Sequence, residues 1–553
     1  MHARPAAALA AAIAAAMLLA GCATRPAAPV SVKLLAINDF HGNLLPPAGG
    51  IRIQDPADRS RTVSVPAGGA EHLATAVQQL KAKNPHHVFV AAGDLIGATP
   101  LLSALFRDEP TIESLSLMGL EASAVGNHEF DKGAAELLRL QRGGCAADGC
   151  QGPQPFAGAR FQYLAASTVD AKTGQTLLPA YHVKRFQGIP VAFIGLTLKD
   201  TPTIVVPAGV EGLVFRDEAE TVNELVPQLR RQGIEAIVLL IHEGGVPSGD
   251  YNECPGISGP IVDIVGKLDR AVDVVISGHT HRAYNCRIDG RLVTSGDRYG
   301  TVVTEIDLVL DPGTGDVISA RADNQIVRTA SFAKDPRQTA LIDAYERLAR
   351  PLAQRVVGRL GSALPRETNA AGESALGQVI ADAQLAATRD AGAQLALMNP
   401  GGIRAPLAMP TDGLLRYESL FSVQPFYNNL VTMTLTGAQL LQLLEQQWLN
   451  QPTLAGRVMQ VSRGFGYTWD AGRPPGQRVL PGSMKLDGQA ITPETRVRVT
   501  VNSFMASGGD NFTVLRQGTD RRTGLMDIDA FEAYVKGNPG LAPGSLDRIA
   551  RLN

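Results

Sequence analysis

Five short polar clusters, each at the carboxyl end of an apolar run, constrain this chain more than any other feature. The densest is Gly126-Asn127-His128-Glu129-Phe130-Asp131, which follows Ala122, Ala124 and Val125. A short buried strand that ends in Gly and opens into a polar loop presents side chains at the carboxyl edge of a sheet. Open α/β folds hold their ligands at that edge. Asn127 offers a neutral oxygen to a cation. His128 points elsewhere and is free to act on a bound molecule, while Asp131 can fix its tautomer and stabilise its cation.

The other four clusters repeat the arrangement. Ser31 to Asn38 reads as a strand and delivers Asp39-Phe40-His41-Gly42. Positions i and i+2 of an extended segment face the same way, so Asp39 and His41 can address one ion. Val88 to Ala92 ends in Gly93-Asp94, and Ile234 to Ile241 ends in His242-Glu243-Gly244-Gly245. Val272 to Ser277 ends in Gly278-His279-Thr280-His281. Each cluster alone is ordinary turn sequence. Jointly, Asp39, His41, Asp94, Asn127, His242, His279 and His281 sit at successive strand ends, separated by helical spacings such as Ala70 to Leu80 and Asp217 to Gln232. That alternation predicts a sheet edge that collects metal ligands. Oxygen and imidazole without thiolate suit two divalent ions such as Zn, Mn or Fe. Six ligands around one shared carboxylate make a two-metal site. Residues 46–69 read as loop, and residues 143–160 as a Gly/Cys/Pro-rich surface insertion.

A chain of 553 residues needs two or more domains. Its net charge of −2 gives no electrostatic case for a nucleic-acid polymer or a polybasic membrane surface as partner. The first 22 residues carry a short apolar core followed by Leu19-Ala20-Gly21-Cys22, which resembles a bacterial lipobox. The expectation is a lipoprotein signal over 1–22 with lipidation of Cys22, then a Pro/Ala-rich tether over 23–30. A lipid anchor in the cell envelope follows, at the outer membrane facing the periplasm. Oligomeric state is not readable. An even number of remaining cysteines in an exported chain suggests two disulfides, and order pairs Cys145 with Cys150 and Cys254 with Cys286.

The pattern changes after about residue 330. Asp335 to Gln354 has helical periodicity and reads as a linker helix within 331–360, between a first domain (31–330) and a second (361–553). In the second, a strand from Gln394 to Met398 leads into Asn399-Pro400-Gly401-Gly402-Ile403-Arg404. A Gly-rich turn ending in Arg brings amides and a guanidinium to one point, suited to phosphate. Phe426 and Phe504 both lie in polar turn sequence, where a planar base could stack between them. Asp510 follows in a Gly-Gly-Asp turn.

In their order, DFHG, GD, GNHEFD, HEGG and GHTH resemble the calcineurin-like metallophosphoesterase domain of secreted bacterial 5′-nucleotidases. The second half is similar to that family's C-terminal domain. The resemblance implies an α/β fold with α+β character: a four-layer β-sandwich flanked by helices, joined by the linker helix to a smaller α/β domain. It implies Asp39, His41 and His281 on one metal, Asn127, His242 and His279 on the other, and Asp94 bridging. His128, oriented by Asp131, would serve the transition state. Asn399, Gly401, Gly402 and Arg404 would contact the nucleotide, Phe426 and Phe504 the base, and Asp510 the ribose. The expected reaction is hydrolysis of nucleoside 5′-monophosphates. A nucleotide sugar, a 2′,3′-cyclic nucleotide or another ester such as a thiosulfonate remains open on the same site, as does binding without hydrolysis. The chain departs from the family at three points. Pro400 stands for a Gly, Tyr427 stands for a Gly, and Ala370 occupies a position often held by Arg. One phosphate-binding Arg is therefore either missing or displaced to Arg366.

Overall fold

The computed structural model describes residues 27–449, 451 and 456–553. Cys22 and the preceding signal segment lie outside them. Strand β1 (Val30–Ile37) shows the principle of the first domain. Leu35 and Ile37 are buried on one face, and Val32, Leu34 and Ala36 on the other. A strand apolar on both faces must lie centrally, with cover above and below. It is joined by β2 (His87–Ala91), β3 (Ala122–Ala124) and β4 (Gln162–Leu164). The chain then builds a second sheet from β5 (Tyr181–Phe186), β6 (Ile189–Thr197), β7 (Ala236–His242), β8 (Val274–Ser277), β9 (Ala283–Ile288) and β10 (Arg291–Gly296). It returns to the first sheet with β11 (Val302–Leu310) and β12 (Val317–Ile326).

The first sheet runs β12-β11-β1-β2-β3-β4 and the second β9-β10-β8-β7-β6-β5. Strands β1 to β4 pair in parallel, as do β6, β7 and β8, so their carboxyl ends fall on one edge of each sheet. Strands β6 and β7 are buried along their whole length and read as near-continuous apolar runs, as expected for strands covered on both sides. The facing surfaces meet through Leu34, Val90 and Ala124 on one side and Phe193, Val238 and Ile276 on the other. Helices cover the outer faces: Leu73, Val77, Ile112 and Leu115 on the first sheet, and Val222, Val226, Ile261 and Val265 on the second. The result is the expected four-layer sandwich.

Two expectations needed revision. The stretch 46–69 is not wholly loop, because Ile51–Asp55 and Asp58–Val65 form an antiparallel hairpin. Its apolar Ile51 and Ile53 pack beneath it, while the outer strand is mostly exposed and polar. Phe504 lies in a short helix, Ser503–Ala506, not in an irregular turn.

Helix α1 (Pro336–Ala353) starts where the Asp335 carboxylate accepts from the backbone N–H of Arg337 and Gln338. It packs Tyr345 and Ala349 against Phe106 of the first domain. The chain then enters the second domain, where Val356–Arg359 pairs with Leu414–Arg416. That domain's five-stranded sheet contains β13 (Leu395–Met398), β14 (Asn429–Thr436), β15 (Gln460–Val461), β16 (Arg496–Asn502) and β17 (Thr519–Met526), in the order β15-β13-β16-β14-β17. Leu101 of the first domain joins the apolar cluster of the second, alongside Leu360, Leu420 and Phe531. No helix among the described residues is long and apolar enough to cross a membrane.

Both expected disulfides are present, Cys145–Cys150 and Cys254–Cys286. The second closes a span of 32 residues and ties a surface loop to buried Cys286 on β9. Replacing Cys254 and Cys286 by Ser should destabilise the fold by about 3–4 kcal/mol through loss of the loop constraint. A urea titration of the variant against the parent measures this.

Candidate metal centre and substrate cleft

The first-domain strand ends converge. Asp39, His41 and His281 bring ligand atoms within 4.8 Å of one another, as do Asp94, His242 and His279. His41 also lies within that distance of Asp94 and His128, so the two groups adjoin. His242 Nε2 is 2.9 Å from Asp94 Oδ2 and 4.0 Å from Asp39 Oδ1. Asp39, His41, Asp94, Asn127 and His242 are buried, while His128, His279 and His281 are half-buried at the mouth.

Two of the imidazole ligands are aimed by backbone carbonyls. His41 Nδ1 lies 2.8 Å from the Gly97 carbonyl, and His242 Nδ1 lies 2.7 Å from that of Ala92. A proton on each Nδ1 donates to its carbonyl and leaves Nε2 as the free donor atom for a metal. Asp39 accepts from Asn38 Nδ2 at 2.7 Å and from the His279 N–H at 3.0 Å. Glu129 accepts from the N–H groups of Asp94, Leu95 and Gly126, pinning the ends of β2 and β3 together. Burial and the nearby Asp94 carboxylate push the Glu129 carboxyl up to about 7. Burial, with His242 beside it, lowers His279 to about 3 and keeps it a neutral ligand. Burial opposes charge on His242 too, but Asp94 and Asp39 by themselves outweigh it and raise that imidazole to about 10, so Nε2 carries a proton that must leave before it can ligate an ion.

Two features fit divalent ions held here. Asn127 Oδ1 is buried without a hydrogen-bond donor, although such an oxygen is ordinarily satisfied. Five ligand residues, Asp39, His41, Asp94, His279 and His281, adopt positive φ between 46° and 69°. Non-glycine residues rarely do so, and strain of this kind persists where function over-determines it. Asn127 lines one cleft together with His279 of the Asp94, His242 and His279 group.

His128 Nδ1 is 2.7 Å from Asp131 Oδ2, as the hexapeptide predicts. Burial disfavours its cation, yet the Asp131 and Asp94 carboxylates outweigh burial and raise its pKa.

A cavity of about 290 Å³ opens beside these residues. Asn127, His128 and His279 line one end, and Arg404, Phe426, Phe504 and Asp510 come from the second domain. Asn399, Gly401 and Gly402 also line it, so every substrate position expected from the sequence reaches one space. The Phe426 ring lies 6.1 Å from that of His128 and nearly parallel to it, with the Arg404 guanidinium 6.0 Å away. Asn399 Nδ2 donates to Asp510 Oδ2 at 2.7 Å.

The three departures have local explanations. Pro400 opens a short 3₁₀ turn, Pro400–Gly402, at a position that needs no N–H. Tyr427 is held at φ 54°, exposed, with its ring against Phe421. Arg366 donates to the Arg404 carbonyl, and the guanidiniums of Arg404 and Arg298 depress its pKa after burial does. The displaced Arg therefore stands beside Arg404. Sequence reasoning missed Arg298, whose Nη1 is 3.4 Å from His281 Nδ1, and Arg457, which lines the cleft. Neither lies in a recognisable motif.

The sandwich and its strand-end ligands place the chain in the calcineurin-like class of metal-dependent phosphoesterases, whose family pattern matches residues 32–283. The pattern described as 5'-nucleotidase, C-terminal domain matches residues 354–517. With both halves accounted for, the chain belongs to the 5′-nucleotidase family. It is 32% identical to the endonuclease YhcR of Bacillus subtilis (strain 168) over 93% of this chain but only 40% of that protein's length. It is 24% identical to a 5'-nucleotidase of Vibrio cholerae, over 96% of this chain and 95% of that one. The crystal structure of a 5'-nucleotidase precursor from Thermus thermophilus superposes with a TM-score of 0.78, at 28% identity, over 95% of this chain and all of that one.

Close backbone packing leaves no room at Gly126, where an added Cβ would meet Asp94 Oδ1 at 2.1 Å. Divalent cation at ~100 times its Kd should stabilise the native protein by about 2.7 kcal/mol for one site. Gly126→Ala should lose most of that stabilisation while keeping its far-UV spectrum. Thermal unfolding of both proteins with and without Mn²⁺ or Zn²⁺ measures it.

Proposed function

We propose that the protein hydrolyses nucleoside 5′-monophosphates to nucleoside and phosphate. One observation carries the reading: a single cavity has Asn127, His128 and His279 of the ligand-bearing strand ends at one side and two aromatic rings and a carboxylate from the other domain at the other. Asp39, His41 and His281 would hold one divalent ion, and Asn127, His242 and His279 the other, with Asp94 shared. Bound ions supply Lewis-acid polarisation of the phosphoryl oxygens and an activated water. The remaining chemistry belongs to the chain. His128 sits between the clusters and Phe426, so its Nε2 faces a phosphoryl group placed there. With Asp131 on Nδ1, the imidazole can carry a proton to the leaving oxygen or offset its developing charge. Arg404 and the Pro400–Gly402 turn, through the Gly401 amide, orient the phosphate end. Phe426 and Phe504 clamp the base, and Asp510 accepts from ribose hydroxyls.

A second reading has its own support. Arg298, Arg366 and Arg404 form no ion pair with a carboxylate among the described residues, yet they lie within electrostatic reach of one another. Three guanidiniums exceed what a monoester needs beside metal ions, which favours a further phosphate, as in a nucleotide sugar. We infer also that Cys22 is lipidated and anchors the protein in the cell envelope, on the strength of Leu19-Ala20-Gly21-Cys22. Failure of labelled fatty acid to enter the parent protein, with Cys22→Ser as the blank, would remove that inference.

Phosphate release from AMP, UDP-glucose and a 2′,3′-cyclic nucleotide ranks the readings, and AMP is expected to turn over fastest. His128→Ala should lower kcat on AMP by about 10²–10⁴-fold with little change in metal content. A kcat within twofold of the parent would exclude the role given to His128.

A further inference from the structure

The ribose end of the cleft contains an ion pair that no motif announces. Asp510 is buried, at φ 55°, with each carboxylate oxygen engaged once. Its Oδ2 accepts from Asn399 Nδ2, and its Oδ1 is paired with Arg457 Nη1. Asn399 is itself fixed, since its Oδ1 accepts from Asn502 Nδ2 at 2.9 Å. The backbone carbonyl of Asp510 accepts from Gln451 Nε2 at 3.1 Å. Arg457 arrives on the segment leading into β15, with its N–H bonded to the Gln447 carbonyl at 2.7 Å. Its side chain is about one-quarter exposed, at 23%, and it lines the cleft.

A buried carboxylate that must accept from ligand hydroxyls has two physical needs. Its charge must be matched by one of opposite sign, and it must keep a fixed rotamer. Asn399 supplies one neutral donor, which serves orientation but not charge. Arg457 supplies the opposite charge. The two donors approach different oxygens, so each oxygen retains a lone pair for a hydroxyl from the cleft. Arg457 therefore does not compete with a ribose diol but prepares the carboxylate that receives it.

We propose that Arg457 is a positioning residue for ribose recognition: by pairing with Asp510 it sets discrimination between ribonucleotides and deoxyribonucleotides. The inference rests on the nucleotide reading above and deepens it. Arg457 touches neither the ligand clusters nor His128 in this arrangement, so its effect should appear in KM and in sugar selectivity, not in chemistry at phosphorus.

The test compares kcat/KM for AMP and 2′-deoxy-AMP in the native enzyme, Arg457→Met and Arg457→Lys, loaded with the same divalent ion. p-Nitrophenyl phosphate, which carries no ribose diol for Asp510 to accept from, reports fold and metal loading in each variant. Arg457→Met should lose about tenfold or more in kcat/KM for AMP, the worth of one charge-assisted hydrogen bond. The loss should lie mainly in KM, and the AMP to deoxy-AMP ratio should fall towards one. Arg457→Lys should recover part of the ratio, which a purely structural ion pair would not require. An unchanged ratio in Arg457→Met overturns the inference while leaving nucleotide hydrolysis intact. If the native enzyme cleaves p-nitrophenyl phosphate but not AMP, the nucleotide reading fails first and this inference falls with it.

Discussion

Asp39 and Asp94 place the strongest demand on the structure around them. Both carboxylates are buried, and two imidazoles, His41 and His242, lie within 4 Å of each. Adjacent buried anions are tolerated only where positive charge lies between them. The His242 ring supplies some of it, burial keeping His41 neutral, and the ligand geometry offers the rest to divalent ions. The neighbouring groups follow from this demand. Carbonyls of Ala92 and Gly97 turn the rings, Asn38 braces Asp39, and glycine at 93 and 126 lets the strand ends approach. At Gly93 an added Cβ would meet His242 Nδ1 at 2.7 Å.

The backbone carries part of the cost. Positive φ at five ligand residues is unfavourable by roughly 1–3 kcal/mol each in isolation. The parallel strands make it sustainable. Their registers are fixed over several residues, and the ladder continues across the turns as Asp39 N–H bonds the Gly93 carbonyl and His41 N–H that of Asp94. A rigid double sheet thus holds a strained rim, and the rim holds the chemistry.

Substrate recognition is divided differently. The first domain contributes charge and ligand atoms, and the second contributes rings, amides and an anchored carboxylate. The helix between them packs on the first domain through Tyr345, while Leu101 reaches into the core of the second. Across the same junction the Phe426 ring stacks 6.1 Å from that of His128. Arg298, Arg366 and Arg404 gather at the junction, where charge from both domains meets.

Much of this was legible before any coordinates. Strand ends bearing Asp39, Asp94 and His279 could be read because apolar runs, Gly and polar turns are local signals, and cysteine order sufficed for both disulfides. The hairpin over 51–65 was obscured by charged residues on its outer strand, although Ile51 and Ile53 carried the two-residue period. Sequence could also nominate Asn399, Phe426, Phe504 and Asp510, since each lies in a distinctive polar stretch, although Phe504 proved to sit in a short helix. Tertiary structure alone decided that Arg457 pairs with Asp510, that Arg366 replaces a displaced Arg beside Arg404, and that Arg298 stands by His281. Those contacts join residues 17 to 53 positions apart, and an isolated arginine leaves no periodic trace. Local chemistry wrote the strand ends, whereas long-range packing chose which charges would face one another.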